Sequence, residues 1–388
     1  MIPFARIISY GNILPKTKIK KVVSYYGFIF VLFDDGQAFG TGDNTSGQLG
    51  DGTLVNKNTW VKCPIENIKD IYVGVDCTLI ITENNKVFFT GYRASLGASS
   101  GYLNTFTEIT STFNNFDLNK AKLMFGSRGL FLLQDEQLYA IGQGTYASNN
   151  QYGNIGLGTT PSASFKRVAS GVKEIYSSLS SSSDASFYIS TSGELFGTGR
   201  NLYGTLGLGF SSEQPIFYKV PFTLPIKTII LSANNVLIIT ESNDVYMSGF
   251  RGNGLCADGT TASSYYTTLT KNTLIDSELA SKFVQYTNSF CSEGAIYLCT
   301  SESIYSSGSD YYGRFGIGNT STIIYSTLVQ NGFLQDIIFD PTHVVQGGYY
   351  VYYWHENTVY AVGNSRWIPG STEDFTKWNK VPMQPRII

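Results

Sequence analysis

Two histidines, His343 and His355, are the only ones in a chain of 388 residues. Any Ser-His-Asp or Cys-His relay, and any histidine-ligated zinc, would have to use one of them. His355 stands in Tyr353-Trp354-His355-Glu356-Asn357, at a hairpin-turn position filled elsewhere by Asp35-Gly36. It is expected at a surface turn. The five cysteines, Cys63, Cys77, Cys256, Cys291 and Cys299, are odd in number and form no Cys-x-x-Cys. Reduced, buried thiols without an intrachain disulfide or a metal are expected. Carboxylates gather only as Asp34-Asp35, Asp135-Glu136 and Glu241 with Asp244, where turn chemistry explains them. Gly252-Asn253-Gly254-Leu255-Cys256-Ala257 comes nearest to a dinucleotide fingerprint, but it opens no helix. The expectation is a non-enzymatic protein with no cofactor.

Composition points the same way. Charged residues make up 14% of the chain, against an average of about 25%, and the formal net charge is −2. The solvent face must be built from Ser, Thr, Asn, Gly and Tyr. Beyond Lys16-x-Lys18-x-Lys20-Lys21 there is no basic run to grip phosphates, so no nucleic-acid partner is expected. The segment Met1–Ser9 lacks the long apolar core of a signal peptide, and no stretch approaches a membrane span. Cytoplasmic synthesis without membrane insertion is expected.

The elements that position these residues repeat. Phe39-Gly40-Thr41-Gly42-Asp43-Asn44-Thr45-Ser46-Gly47-Gln48-Leu49-Gly50-Asp51-Gly52 returns as Leu195 to Gly209 and, more worn, as Ile304 to Gly318. Its marker glycine falls at Gly42, Gly91, Gly142, Gly199, Gly249, Gly308 and Gly363, roughly every 50 residues. Several short strands per unit at this period indicate an all-β fold, a seven-bladed β-propeller in one domain. The units run 19–67, 68–118, 119–170, 171–224, 225–280, 281–333 and 334–382, with 1–18 as an N-terminal closing segment. The glycines are expected where inner strands crowd. Leu49, Ile155, Leu206, Leu255 and Phe315 are expected to plug the gaps between blades. A second marker, aromatic-x-x-aliphatic, occurs at Trp60–Cys63, Phe165–Val168, Phe217–Val220 and Trp378–Val381, and again at Phe4–Ile7. It reads as a strand tucked between blades. Either the Phe4 or the Trp378 segment closes the ring. Strand alternation predicts that every second residue of Tyr349–Trp354 faces the core.

The pattern resembles the regulator-of-chromosome-condensation repeat family, nearly throughout at Gly36–Gly52 and Gly193–Gly209 and in part elsewhere, from about residue 19 to about residue 382. The founding member of that family exchanges nucleotide on a small GTPase and binds nucleosomes. The resemblance therefore implies a propeller that works by binding. Its wedge loop and acidic clusters are not matched here residue for residue. The leading expectation is a protein-binding or assembly module, with a virion structural or receptor-binding component as one form of it. A small-GTPase exchange factor and a lectin-like ring for glycan or peptide are the alternatives. Specificity is expected in two irregular loops: Gln143–Tyr152, with Gln143, Thr145, Tyr146, Asn149, Asn150 and Tyr152, and Ser178–Asp184, with Ser180, Ser182 and Asp184.

Overall fold

Asp34-Asp35-Gly36 shows how each unit starts to fold. Gly36 takes φ +77°, its N–H donates to the Phe33 carbonyl, and Phe33 N–H donates to the Gln37 carbonyl at 2.9 Å. The turn brings two apolar strands into an antiparallel pair. The structure, a computed structural model, describes residues 17–98, 101–143, 155–179, 185–231, 234–283, 294–318, 323–334, 337–347, 350–364, 374–381 and 383.

Seven antiparallel sheets follow in chain order. The first holds β1 (Ile19–Tyr25), β2 (Phe28–Phe33), β3 (Ala38–Gly42) and β4 (Lys57–Lys62), and the second β5 (Ile68–Gly74), β6 (Cys77–Thr82), β7 (Val87–Tyr92) and β8 (Tyr102–Glu108). The third holds β9 (Lys122–Gly126), β10 (Gly129–Gln134), β11 (Gln137–Gly142) and β12 (Ser162–Ser170), and the fourth β13 (Val172–Ser177), β14 (Ala185–Ser190), β15 (Leu195–Gly199) and β16 (Gln214–Lys219). The fifth holds β17 (Ile226–Leu231), β18 (Asn235–Thr240), β19 (Val245–Phe250) and β20 (Tyr265–Lys271). The described part of the sixth holds β21 (Ala295–Cys299), β22 (Ile304–Ser309) and β23 (Ile324–Gln330). The seventh holds β24 (Val344–Gly347), β25 (Tyr350–His355), β26 (Thr358–Gly363) and β27 (Phe375–Lys380). Among the described residues the one α-helix is α1 (Ser277–Lys282). The chain is a seven-bladed propeller. The first strands line the axis, where β1 meets both β5 and β24.

The core is divided into seven wedges, one between each pair of adjacent blades. Phe28, Phe30 and Leu32 of β2 enter the wedge shared with the second blade. Ile29, Val31 and Phe33 enter the wedge shared with the seventh. Both faces of a second strand are therefore covered, and its sequence is an unbroken apolar run. The same holds for β25: Tyr350, Tyr352 and Trp354 join one wedge, Val351 and Tyr353 the next. The expected alternation in this run is thus corrected, because no face of a second strand meets solvent.

Leu49, Ile155, Leu206, Leu255 and Phe315 are all buried, and each lies in a wedge between its own blade and the following one. The seven marker glycines all adopt positive φ. Each stands at or one residue before the end of a third strand, opposite the start of a second, as Gly42 does opposite Phe28. What crowds Gly42 is the Gly27–Phe28 backbone of its own blade, not inner strands of other blades.

The aromatic-x-x-aliphatic segments are also placed differently from expectation. They form the outermost strands of their own blades, since β4, β12, β16 and β27 stand at sheet edges. The aliphatic member turns inward, so Cys63, Val220 and Val381 are buried. The aromatic member reaches under the turn of the preceding blade: Phe217 lies against Gly156, and Trp378 against Gly316. The Trp378 strand fills the outer place in the seventh blade. Phe4–Ile7 lies outside the described residues.

Candidate functional site

The two ends of the ring are built differently. One end carries the tight turns between second and third strands; we call it the hairpin end. The other, the loop end, carries the turns between first and second strands and the long connections from third to fourth strands.

Three of the long connections are each shaped by one buried side chain. Asn44 Oδ1 accepts the Leu49 N–H at 2.9 Å, and Asn44 Nδ2 donates to Asp51 Oδ1 at 2.9 Å. Asn201 Oδ1 accepts the Leu206 N–H at 2.8 Å, and Asp310 Oδ1 accepts the Phe315 N–H at 2.8 Å. These bonds drive the plug residues down into the wedges. The last glycine of the repeat then ties blade to blade. Gly52 N–H donates to the Asn104 carbonyl at 2.8 Å, Gly158 to Pro215 at 2.8 Å and Gly209 to Thr267 at 2.7 Å. Gly259 donates to Ser326 at 2.8 Å and Gly318 to Thr376 at 2.9 Å. Hydroxyls add to this: Thr90 Oγ1 donates to the Gly47 carbonyl at 2.7 Å and Ser248 Oγ to the Thr205 carbonyl at 2.9 Å. The loop end is therefore preorganised by backbone-level bonds.

Aromatic side chains and arginines stand on this frame. Tyr203 packs on Phe250 with ring centroids 5.1 Å apart and on Tyr265 at 6.3 Å. Tyr265 is 51% exposed, and Leu202 beside it 47%. Arg251 lies over the Tyr266 ring at 4.4 Å, and its Nε bonds Asp258 Oδ2 at 2.7 Å. Further round, Arg128 lies over Tyr92 at 5.3 Å, and Tyr92 packs on the exposed Tyr102 at 5.3 Å. Burial raises the pKa of Asp76 at the first turn of that blade; the nearby Asp43 charge raises it further and Arg128 opposes the shift. Tyr311 and Tyr312 pack on each other at 4.6 Å on the sixth blade.

Most of the described lysines stand elsewhere, Lys57 paired with Asp51 being at the loop end. Lys62, Lys86, Lys173, Lys219, Lys227 and Lys271 all fall near the hairpin end of their strands or turns. Carboxylates join them there, in the pairs Lys86–Glu108 at 3.1 Å and Lys271–Asp244 at 2.8 Å. Exposed ion pairs of this kind add little stability but make that end hydrophilic.

Of the loop residues expected to carry specificity, Gln143 is 8% exposed. Its Nε2 donates to the Ala98 carbonyl at 2.8 Å and its N–H to Ala94 and Arg128 carbonyls, so it braces the neighbouring blade. Thr145, Tyr146, Asn149, Asn150, Tyr152, Ser180, Ser182 and Asp184 lie outside the described residues. The described ends of both loops, Gln143 with Ile155 and Leu179 with Ala185, sit at the loop end, since one leaves a third strand and the other a first strand. Sequence reading missed Tyr203, Arg251 and Arg128. A signal was present: Arg93, Arg200 and Arg251 each follow a marker glycine by one or two residues.

No group of three or more metal-ligating side chains occurs among the described residues. Cys63, Cys77, Cys256 and Cys299 are free and buried. Burial pushes each of these thiols up to about 12. They stay protonated at neutral and mildly alkaline pH and are expected to react slowly with a thiol reagent in the native protein, then fully on denaturation without reductant. A shortfall of two thiols in the denatured titration would reveal a disulfide.

Residues 19–48 match the family model described as the regulator of chromosome condensation (RCC1) repeat. The structure is similar to Prp20p from Saccharomyces cerevisiae, whose binding to Gsp1p and histones has been described: TM-score 0.71 at 16% identity, over 93% of this chain and 87% of that one. It is similar to yeast RCC1 (Prp20) bound by Kap60, with TM-score 0.68 at 14% identity, over 93% and 85%. It is similar to human WBSCR16, with TM-score 0.66 at 15% identity, over 90% and 94%. Identities this low speak for the fold.

Proposed function

Starting from a chain that is a seven-bladed propeller of RCC1-type repeats, we propose that it is a non-enzymatic binding module whose loop end docks a protein partner. One observation carries the reading: the loop end presents tyrosines and arginines on a hydrogen-bonded frame, while most of the described lysines stand at the other end. Interface centres are enriched in Tyr, Trp and Arg and depleted of Lys, Glu and Asp. Rigid Tyr and fixed Arg also lose little side-chain entropy on binding. The fold likeness to Prp20p and to RCC1 in its Kap60 complex, propellers that hold protein partners, supports a binding role.

The test uses partners recovered by crosslinking from the native source. Changing Tyr203 and Tyr265 together to alanine is expected to weaken the recovered interaction by about 2 kcal/mol or more, the size of an interface hot spot. Because that cluster is aromatic, salt is expected to matter little. Full affinity in the double variant would place the interface elsewhere. Exchange on a small GTPase is the second reading, and the same fold likeness favours it. Accelerated release of labelled nucleotide from a GTPase partner would establish it. Residence in a virion remains a proposal from composition, checked by proteomics of purified particles.

A further inference from the structure

The hairpin end has its own organisation around the axis. In four blades the first strand carries a β-bulge near its start, and the extra residue is a lysine each time. The register shifts between Ile19 and Lys21, between Ile68 and Asp70, between Val172 and Glu174, and between Ile226 and Thr228. Lys20, Lys69, Lys173 and Lys227 are the residues skipped. A bulge re-aims its side chain out of the ladder. Lys21 and Lys122 stand at the next position along, in the first and third blades. Six lysines thus mark the starts of five consecutive axial strands. The acidic residues at the same two positions are Asp70, bonded to Lys21 Nζ at 2.7 Å, and Glu174.

Lys21 itself lines an axial pocket of about 330 Å³, and the strands whose starts carry Lys69, Lys122 and Lys173 supply other parts of its wall. Its walls include Val23, Tyr72, Leu123, Phe125 and Trp354. Lys21 connects rim and wall: its Nζ lies 4.5 Å from the Tyr72 ring centroid. Some lysines also join neighbouring units, as where Lys20 Nζ donates to the Lys69 carbonyl at 2.8 Å and Lys69 Nζ to Asn119 Oδ1 at 2.6 Å. Such bonds hold the ammonium groups around the rim.

We propose that this lysine-rimmed axial mouth is a second binding site, taking an acidic peptide segment of a partner protein with one apolar side chain seated in the axial pocket. The cationic excess at the rim complements carboxylates, and like charges round a low-dielectric cleft focus the field there. The apolar wall asks for an apolar side chain. Asp70 and Glu174 within the ring can accept peptide N–H groups but would repel a continuous phosphate chain. The net charge of −2 gives no long-range attraction for nucleic acid. The site lies at the opposite end from the aromatic face, so either can fail without the other.

The test uses the full chain and a fluorescein-labelled acidic decapeptide with one central phenylalanine, read by anisotropy. Binding is expected to weaken about tenfold or more when salt is raised from low to near-molar levels, where screening is nearly complete. The variant Lys20→Gln/Lys69→Gln/Lys122→Gln/Lys173→Gln is expected to lose binding by a similar factor. The variant Lys122→Gln/Lys173→Gln, which alters two exposed lysines only, is expected to lose part of it and guards against misfolding. Replacing the peptide's phenylalanine by glycine is expected to weaken binding as well. Tyr203→Ala/Tyr265→Ala is expected to leave it unchanged. Equal binding of a neutral peptide, or unaltered binding in both lysine variants, would overturn the site. Equal binding of the glycine peptide would overturn the seat in the pocket. Tighter binding of single-stranded DNA or anionic vesicles than of the peptide would overturn the choice of occupant.

Discussion

Replacing Gly42 by alanine is expected to destabilise the protein by about 3–5 kcal/mol, measured as the shift in a urea unfolding curve. Two effects add. Gly42 has φ +108°, a conformation that strains a residue with a side chain by roughly 1–3 kcal/mol. The new Cβ would also overlap the Gly27 carbonyl oxygen and stand 2.8 Å from Phe28 Cα. Both neighbours are backbone, so relief requires opening the β2–β3 pair, and overpacking of this kind adds about 1–3 kcal/mol. Gly193 separates the two effects. Its φ is +83° and no atom lies within 4 Å of an added Cβ, so Gly193→Ala is expected to show the strain alone. Equal losses at the two glycines would show that close approach contributes nothing at Gly42.

Leu206→Ala is expected to cost about 2–5 kcal/mol by thermal or denaturant unfolding. The Leu206 side chain is fully buried, packed with Phe187 and Ile189 of the fourth blade and Val236 and Ile238 of the fifth. Its N–H is held by Asn201 and its neighbour Gly207 by the Gly204 carbonyl, so the loop resists collapsing into the cavity. That places the loss toward the upper part of the range. Leu202, exposed on the same loop, supplies the contrast: Leu202→Ala is expected to change stability by less than about 0.5 kcal/mol. Comparable losses from both would mean that Leu206 does not hold two blades together.

The ring and its seven units were legible because glycine, plug leucine and hairpin turn each answer a local steric demand that recurs in phase. Gly42 and Leu49 needed no partner to be recognised. The position of the outer strand was harder to read. Trp60–Cys63 and Trp378–Val381 show an aromatic and a small apolar residue at fixed spacing, which suits either a strand between blades or a sheet edge; only pairing with β3 and β26 separates the two. The run Tyr350–Trp354 was misread for a related reason. Alternation is the rule for a sheet with one wet face, and a second strand in a propeller has none. The candidate contact residues were the least legible. Arg251 and Tyr203 come from different repeats, and Tyr203 meets Tyr265 only across a blade boundary. The lysine bulges were visible as a recurring apolar-lysine step, yet their common place at the axis follows only from strand order.

The bonds from the last glycine of one repeat to the outer strand of the next have a consequence for how the molecule comes apart. A linear array of repeats frays from its terminal units, since each of these has one neighbour. Here the wedge between the seventh and first blades gives every blade two. Opening any one blade would strip two wedges and at least one of the glycine bonds. Local opening therefore approaches the free energy of global unfolding. Amide hydrogens on second strands all round the ring should exchange at one common, slow rate, with no blade serving as the weak end.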